Sequence, residues 1–152
     1  MISEVLGGAV LVSSGLAAGV LFTHAVGVWP ALQAMAPGQY VAAHKLVGRA
    51  YDPMMPIIVG SSVLADIVLA IVAGEGAARP LFAVSALFLV GVSVVSQTKN
   101  VPINRSVKAL DENAVPADWA DPRRRWGRWN LVRTGFALLA FVGNIAAAMA
   151  AA

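Results

Sequence analysis

The sequence predicts an all-α protein, a bundle of four transmembrane helices, and three observations carry that prediction. The 152 residues are 59% apolar and only 12% charged, about half the charged share of an ordinary soluble domain. Four separate stretches approach or exceed the roughly 18 to 20 apolar residues that cross about 30 Å of hydrocarbon as a helix. The mean hydropathy of +0.74 also separates this chain from disordered ones, which have too little apolar surface to bury. The length suits one domain, so residues 1–152 are read as a single integral membrane domain rather than a water-soluble enzyme. Cysteine is absent, which excludes disulfides, thiolate nucleophiles, iron–sulfur clusters and Cys-ligated zinc. Two histidines are too few for a self-sufficient multi-His metal site, so no metal is expected.

The first span, residues 5–29, contains no Lys, Arg, Asp or Glu. It follows Met1-Ile2-Ser3-Glu4, which lacks the basic start of a secretory signal peptide, and is therefore expected to remain as a helix. Residues 30–52 form a connector with Tyr40, Val41, His44, Leu46 and Val47 as the less polar members of a short amphipathic helix lying at the interface. Pro53 and Pro56 mark the start of the second span, 54–73, and Gly74-Glu75-Gly76 makes a tight stop. Pro80 opens the third span, 80–97, as proline's fixed φ and missing donor favour. Spans two and three should form a hairpin. A long connector then leads to the last span, 131–152, and no internal repeat or second domain interrupts the chain.

Orientation follows from the 11 basic residues. Lys45 and Arg49 lie in the first connector, eight lie between Lys99 and Arg133, and only Arg79 lies at the other end. The positive-inside rule places both connectors in the cytoplasm and both termini on the non-cytoplasmic side of the cell membrane. Arg123-Arg124-Arg125-Trp126-Gly127-Arg128-Trp129 reads as a juxtamembrane anchor beside anionic headgroups. No module that reads nucleic acid fits the chain, so no nucleic-acid partner is expected.

Ionisable groups at membrane depth are costly unless they face protein, water or a partner, which makes each a functional candidate. At about 1.5 Å per residue, Asp66 and Asn144 lie at nearly equal depth, roughly 18 and 20 Å from the cytoplasmic ends of their spans, with Ser14 and Ser85 near the same level. Hydrogen-bond glue between helices and a substrate-contacting layer are both open readings of them. A second polar layer gathers His24, Arg133, Ser93, Ser96 and Gln97 nearer the cytoplasm. Histidine exchanges protons near neutral pH. Gly15, Gly19, Thr23 and Gly27 form a small-residue ribbon beside it, suited to close helix packing.

The long connector carries a sharper pattern. Asn100-Val101-Pro102-Ile103-Asn104-Arg105 follows the third span, and Trp126-Gly127-Arg128-Trp129-Asn130-Leu131-Val132-Arg133-Thr134 leads into the fourth. Trp126, Asn130, Arg133 and Thr134 share a helical face. An aromatic wall, an amide and a cation pointing inward can hold an aromatic enol and stabilise its oxyanion in a dry site. The same residues would equally cap and anchor the last helix, and composition does not choose between the two.

These clusters, with four spans and a first helix ending in His24 through Trp29-Pro30, resemble the anthrone oxygenase-like family of small membrane proteins over nearly the whole chain. Asn100-x-Pro102-x-Asn104 and Trp126-x-x-Trp129-Asn130-x-x-Arg133-Thr134 are its most specific parts. The resemblance implies oxygenation of polycyclic anthrones to anthraquinones by dioxygen in natural-product pathways, without a bound metal or flavin. Chemistry is compatible with that. The benzylic position of an anthrone is acidic and its enolate passes an electron to dioxygen, so a base, oxyanion donors and a water-poor pocket suffice and no cofactor is needed. His24 is the expected base, with Arg133, Asn100 and Asn104 as oxyanion or carbonyl donors. Trp126 or Trp129 supplies the stacking wall with Asn130 beside it, Arg49 and Asp52 close the mouth, and Asp66 and Asn144 are deeper substrate contacts.

Nothing in these residues names oxygen as a reactant. The same pocket suits a cyclase or isomerase acting on a lipophilic polyketide or isoprenoid. A transport, lipid-binding or assembly subunit is a reading from a different class. The shortage of ionisable groups along any one helix opposes a channel, although a homo-oligomer would relax that objection.

Overall fold

The computed structural model describes residues 2–74 and 76–151, apart from the side chains of residues 2 and 3. Glu75, at the centre of the expected stop between spans two and three, lies outside them, as do Met1 and Ala152. α1 (Ile2–Thr23) continues through a π-helical turn (His24–Val28) into α2 (Trp29–Ala34), and α3 (Pro37–Val72) returns antiparallel to it. α4 (Ala78–Val95) continues through a second π-helical turn (Ser96–Asn100) into α5 (Val101–Lys108), and α6 (Arg123–Ala151) closes the bundle. No strand occurs among the described residues. Gly76, in the turn before α4, has a φ of +153°, which glycine alone adopts without strain.

Both π turns stand directly before an X-Pro step, and proline explains them. Pro30 and Pro102 have no N–H, and each ring crowds the carbonyl four residues back. The chain widens just upstream, so that the Trp29 N–H donates to the His24 carbonyl and the Val101 N–H donates to the Ser96 carbonyl. Such single widened turns often mark functional positions. Here they hold His24 and Gln97.

Four helices are long and apolar enough to cross a membrane, over 4–34, 37–72, 78–108 and 123–151, and the protein is a multi-pass membrane protein. Every one is longer than the sequence predicts. Pro53 and Pro56 lie inside α3 instead of starting it, and the short helix expected at 37–47 is the first part of this same 36-residue helix. At 1.5 Å per residue α3 is about 54 Å long, well beyond about 30 Å of hydrocarbon. Tyr40, Val41 and His44 are buried, so this segment packs into the protein rather than resting on the interface. Leu46 alone of the five is a strongly exposed apolar side chain. The fourth helix likewise starts at Arg123 rather than Leu131.

α1 packs against α3 and α6, and α4 packs against the same two, which closes a ring of four. Three apolar clusters stack along it. Val10, Leu69, Ala78, Phe82 and Ala147 fill one end, and Ala17, Leu21, Val59, Leu89, Val92 and Ala137 fill the middle. Trp29, Leu32, Tyr40, Val41, Ile103, Val107 and Trp126 fill a dome at the other end. Leu16, Ile57, Leu64, Leu87, Leu139 and Val142 stay exposed on the outside, as a lipid-facing belt requires.

Gly127 sets how closely the dome closes. A Cβ at this position would sit inside the Trp29 indole, so only glycine lets α6 approach α2 here. Arg123 completes the closure. Its Nη1 donates to the carbonyls of Leu32, Gln33 and Met35 at 3.1, 3.2 and 2.7 Å, which satisfies the open end of α2 with a cation. Arg123 is thus an internal clamp, and the headgroup anchor read from the arginine run is left to Arg124, Arg125 and Arg128, all exposed.

Candidate functional site

Between the middle cluster and the dome lies a cavity of about 390 Å³, within the range of sites for small organic ligands. Every helix except α2, which contributes only Leu32, places one or more polar groups on its wall. α1 and its π turn contribute His24, α3 contributes His44, Tyr51 and Asp52, α4 and its π turn contribute Ser93, Ser96 and Gln97, α5 contributes Asn104, Arg105 and Lys108, and α6 contributes Trp126 and Arg133. Leu21, Leu32, Val47, Met55, Val59 and Val92 supply apolar surface between them.

His24 is buried, with Nδ1 2.9 Å from the carbonyl oxygen of Val20. A carbonyl only accepts, so Nδ1 carries the hydrogen and Nε2 keeps its lone pair. Tyr51 packs edge-on against the imidazole at 4.7 Å between ring centres and fixes its plane.

Arg133 is oriented from three directions. Its Nε and Nη2 both donate to Asn130 Oδ1, at 3.1 and 2.9 Å, and Nη1 donates to Ser96 Oγ at 3.2 Å. The guanidinium lies 5.4 Å from the centre of the Trp126 ring, a cation–π contact. Among the described residues no carboxylate forms an ion pair with it, whereas Lys45 pairs with Glu112, Lys108 with Asp52 and Arg123 with Asp121. Asp52 acts on this cation only at longer range, and a guanidinium so placed on the wall of a mostly apolar chamber can meet a negative charge.

Trp126 organises the aromatic side of the site. It stacks on Trp29 at 4.8 Å and 28°, and its Nε1–H donates to Asn104 Oδ1 at 2.7 Å. Asn100 Nδ2 donates to the Trp126 carbonyl at 3.2 Å. Asn100 is fully buried and does not line the cavity, so it holds the wall instead of facing a ligand. Asn130 plays the same part for Arg133.

Of the residues predicted from sequence, the structure brings His24, Arg133, Asn104, Trp126 and Asp52 to one cavity. Asn100 and Asn130 stand behind it. Trp129 is half-buried and off the lining, under Lys99, whose Nζ is 5.2 Å from the ring centre, and Arg49 is exposed and off the lining. Asp66 and Asn144 form a different layer. Asn144 Nδ2 donates to Asp66 Oδ2 at 3.4 Å, as the counted depths predict. Asp66 is fourteen residues from Asp52 on α3, about 21 Å along the helix, and neither Asp66 nor Asn144 lines the cavity. Ser62 joins this level through a 2.7 Å bond to Ser13 Oγ.

His44, Tyr51 and Lys108 complete the lining without having been singled out for it. The signal is present in the sequence. His44, Gly48, Tyr51, Asp52 and Met55 fall at offsets of four, seven, eight and eleven, one face of a helix, but that face is legible only if the helix runs past Pro53.

Residues 44–143 match a family model described as Anthrone oxygenase. No curated protein and no solved structure matches the chain. The matched residues span the walls contributed by α3, α4, α5 and α6, while α1 and His24 precede them.

Proposed function

We propose that this chain, which belongs to the anthrone oxygenase family, binds an anthrone-type polycycle in the cavity between its helices and oxidises it with dioxygen. The observation that carries the reading is one chamber holding both a histidine whose Nδ1 is bonded to a carbonyl, which leaves Nε2 its lone pair, and an arginine with no described carboxylate in direct contact. His24 Nε2 takes a proton from the acidic benzylic carbon. The negative charge moves to the ketone oxygen across the central ring, where the guanidinium of Arg133 stabilises it. Trp126, already stacked on Trp29 and faced by the Arg133 guanidinium, gives the chamber an aromatic edge rather than a free ring face, and Asn104, bonded to its indole, holds that edge in place.

The enolate then passes one electron to dioxygen, and the carbon radical and superoxide combine into a peroxide. Loss of the second benzylic proton with cleavage of the O–O bond leaves a carbonyl and releases water. The sum is one anthrone plus one dioxygen giving one anthraquinone plus one water. A water-poor chamber favours each charged step, because its fixed donors act more strongly there than in solvent.

His44 lines the same cavity and lies within the matched residues, so it is the competing base. The test is oxygen uptake by the purified protein with an anthrone, above the uncatalysed rate. His24→Ala should slow turnover at least about tenfold, the lower end of what a general base contributes, and His44→Ala should slow it less. Unchanged turnover in His24→Ala with a large loss in His44→Ala moves the base to His44.

A further inference from the structure

The cavity carries more positive charge than the proposed oxidation uses. Arg105, Lys108 and Arg133 face it against a single carboxylate, Asp52, and that carboxylate is already paired with Lys108. Arg133 meets the enolate in the reading above. Arg105 is left over. It is exposed at the rim, and it forms no ion pair with any described residue.

Its placement is fixed by the backbone beneath it. Ile103 and Val107 of α5 are buried in the dome. Asn104, Arg105 and Lys108, at offsets of one and four, are thereby turned to the cavity. A neutral polycycle filling this mouth would remove water from a guanidinium and give nothing back. An anionic substituent on the ring edge would pair with its planar fork through two parallel hydrogen bonds.

We infer that the ligand of this cavity is a planar polycycle bearing an anionic substituent, a carboxylate in the first instance, and that Arg105 is the specificity-determining residue that binds it. The inference rests on the cavity being the substrate site. An anionic lipid headgroup offers the same chemistry to an exposed arginine, so the test varies the bilayer as well as the ligand.

The experiment is calorimetric binding of an anthraquinone carboxylic acid and of its methyl ester to the full-length protein in phosphatidylcholine nanodiscs, with empty discs subtracted. The ester keeps the size and planarity of the acid and removes its charge. The acid should bind about tenfold more tightly than the ester, in line with a charge-assisted pair. Arg105→Ala should bring the two within about twofold of each other, and Arg105→Lys, which keeps a charge without the fork, should fall between. Discs containing phosphatidylglycerol should leave the preference for the acid in place.

Equal affinities, binding of neither ligand, or a preference that survives Arg105→Ala would each overturn the inference. A preference abolished by phosphatidylglycerol would also overturn it and make Arg105 a headgroup anchor. Because the readout is binding, the two readings fail separately. An Arg105-dependent preference in a protein that never oxidises an anthrone leaves this inference standing, and His24-dependent oxidation without any preference removes it alone.

Discussion

Arg133 shows most clearly how single side chains in this protein divide between acting and positioning. Asn130 and Ser96 take three of its hydrogen bonds and Trp126 covers its face, which leaves the remaining fork for whatever enters the cavity. Arg133→Lys keeps the charge but loses the shared contact to Asn130 and the guanidinium's contact with the indole. Anthrone turnover should fall about ten- to a hundredfold, approaching the loss of one oxyanion donor, while helix content by circular dichroism stays the same. Unchanged turnover would show that a point charge is enough. At this scale ionisable or aromatic residues near span ends were the informative ones, as for His24, Asp52, Trp126 and Arg133, although Trp129 and Arg49, of the same types, do not line the cavity. It could not rank amides, since Asn100, Asn104 and Asn130 differ only in which way their helix faces. Arg49 fails for a related reason. It follows Gly48, which does line the cavity, and one residue turns a helix by about 100°.

The elements carry a second lesson, written by prolines. Pro30 and Pro102 are absorbed by π turns that keep the helices running, and Pro53 and Pro56 are absorbed within α3. A reading that stops helices at prolines is right for soluble domains, where the open carbonyls face water and the helix gains little by going on. Here the helix ends that continue are buried in the dome, so tertiary packing outweighs the lost hydrogen bonds. That is why the four spans were legible, while the single face linking His44 to Met55 was not. Gly127 tests the closure of these elements. Gly127→Ala places a methyl group in the Trp29 ring, and moving the indole or α6 should cost about 1–3 kcal/mol. A lower thermal midpoint of the purified protein is the expected result, and an unchanged midpoint would mean that the dome is loosely packed.

At the scale of the whole molecule, polar groups are segregated by depth. The layer of Asp66, Asn144, Ser62 and Ser13 joins helices near the middle of the bundle, and the cavity stands apart from it toward the end where α2, α5 and the start of α3 form the dome. Depth counting alone paired Asp66 with Asn144, because rise per residue is fixed, but it named Ser14 and Ser85 where Ser62 and Ser13 make the second bond. The cavity needed the fold, because its walls come from six helices and two widened turns. The proposed oxidation requires this chamber to bring an anthrone, a base and dioxygen together, and the most direct measurement is turnover of an anthrone by the purified protein under ¹⁸O₂, with the quinone read by mass spectrometry. One labelled oxygen in the product, formed at a rate that drops in His24→Ala, is the predicted result. Conversion without label, or labelling at the uncatalysed rate in wild type and variant alike, would contradict it.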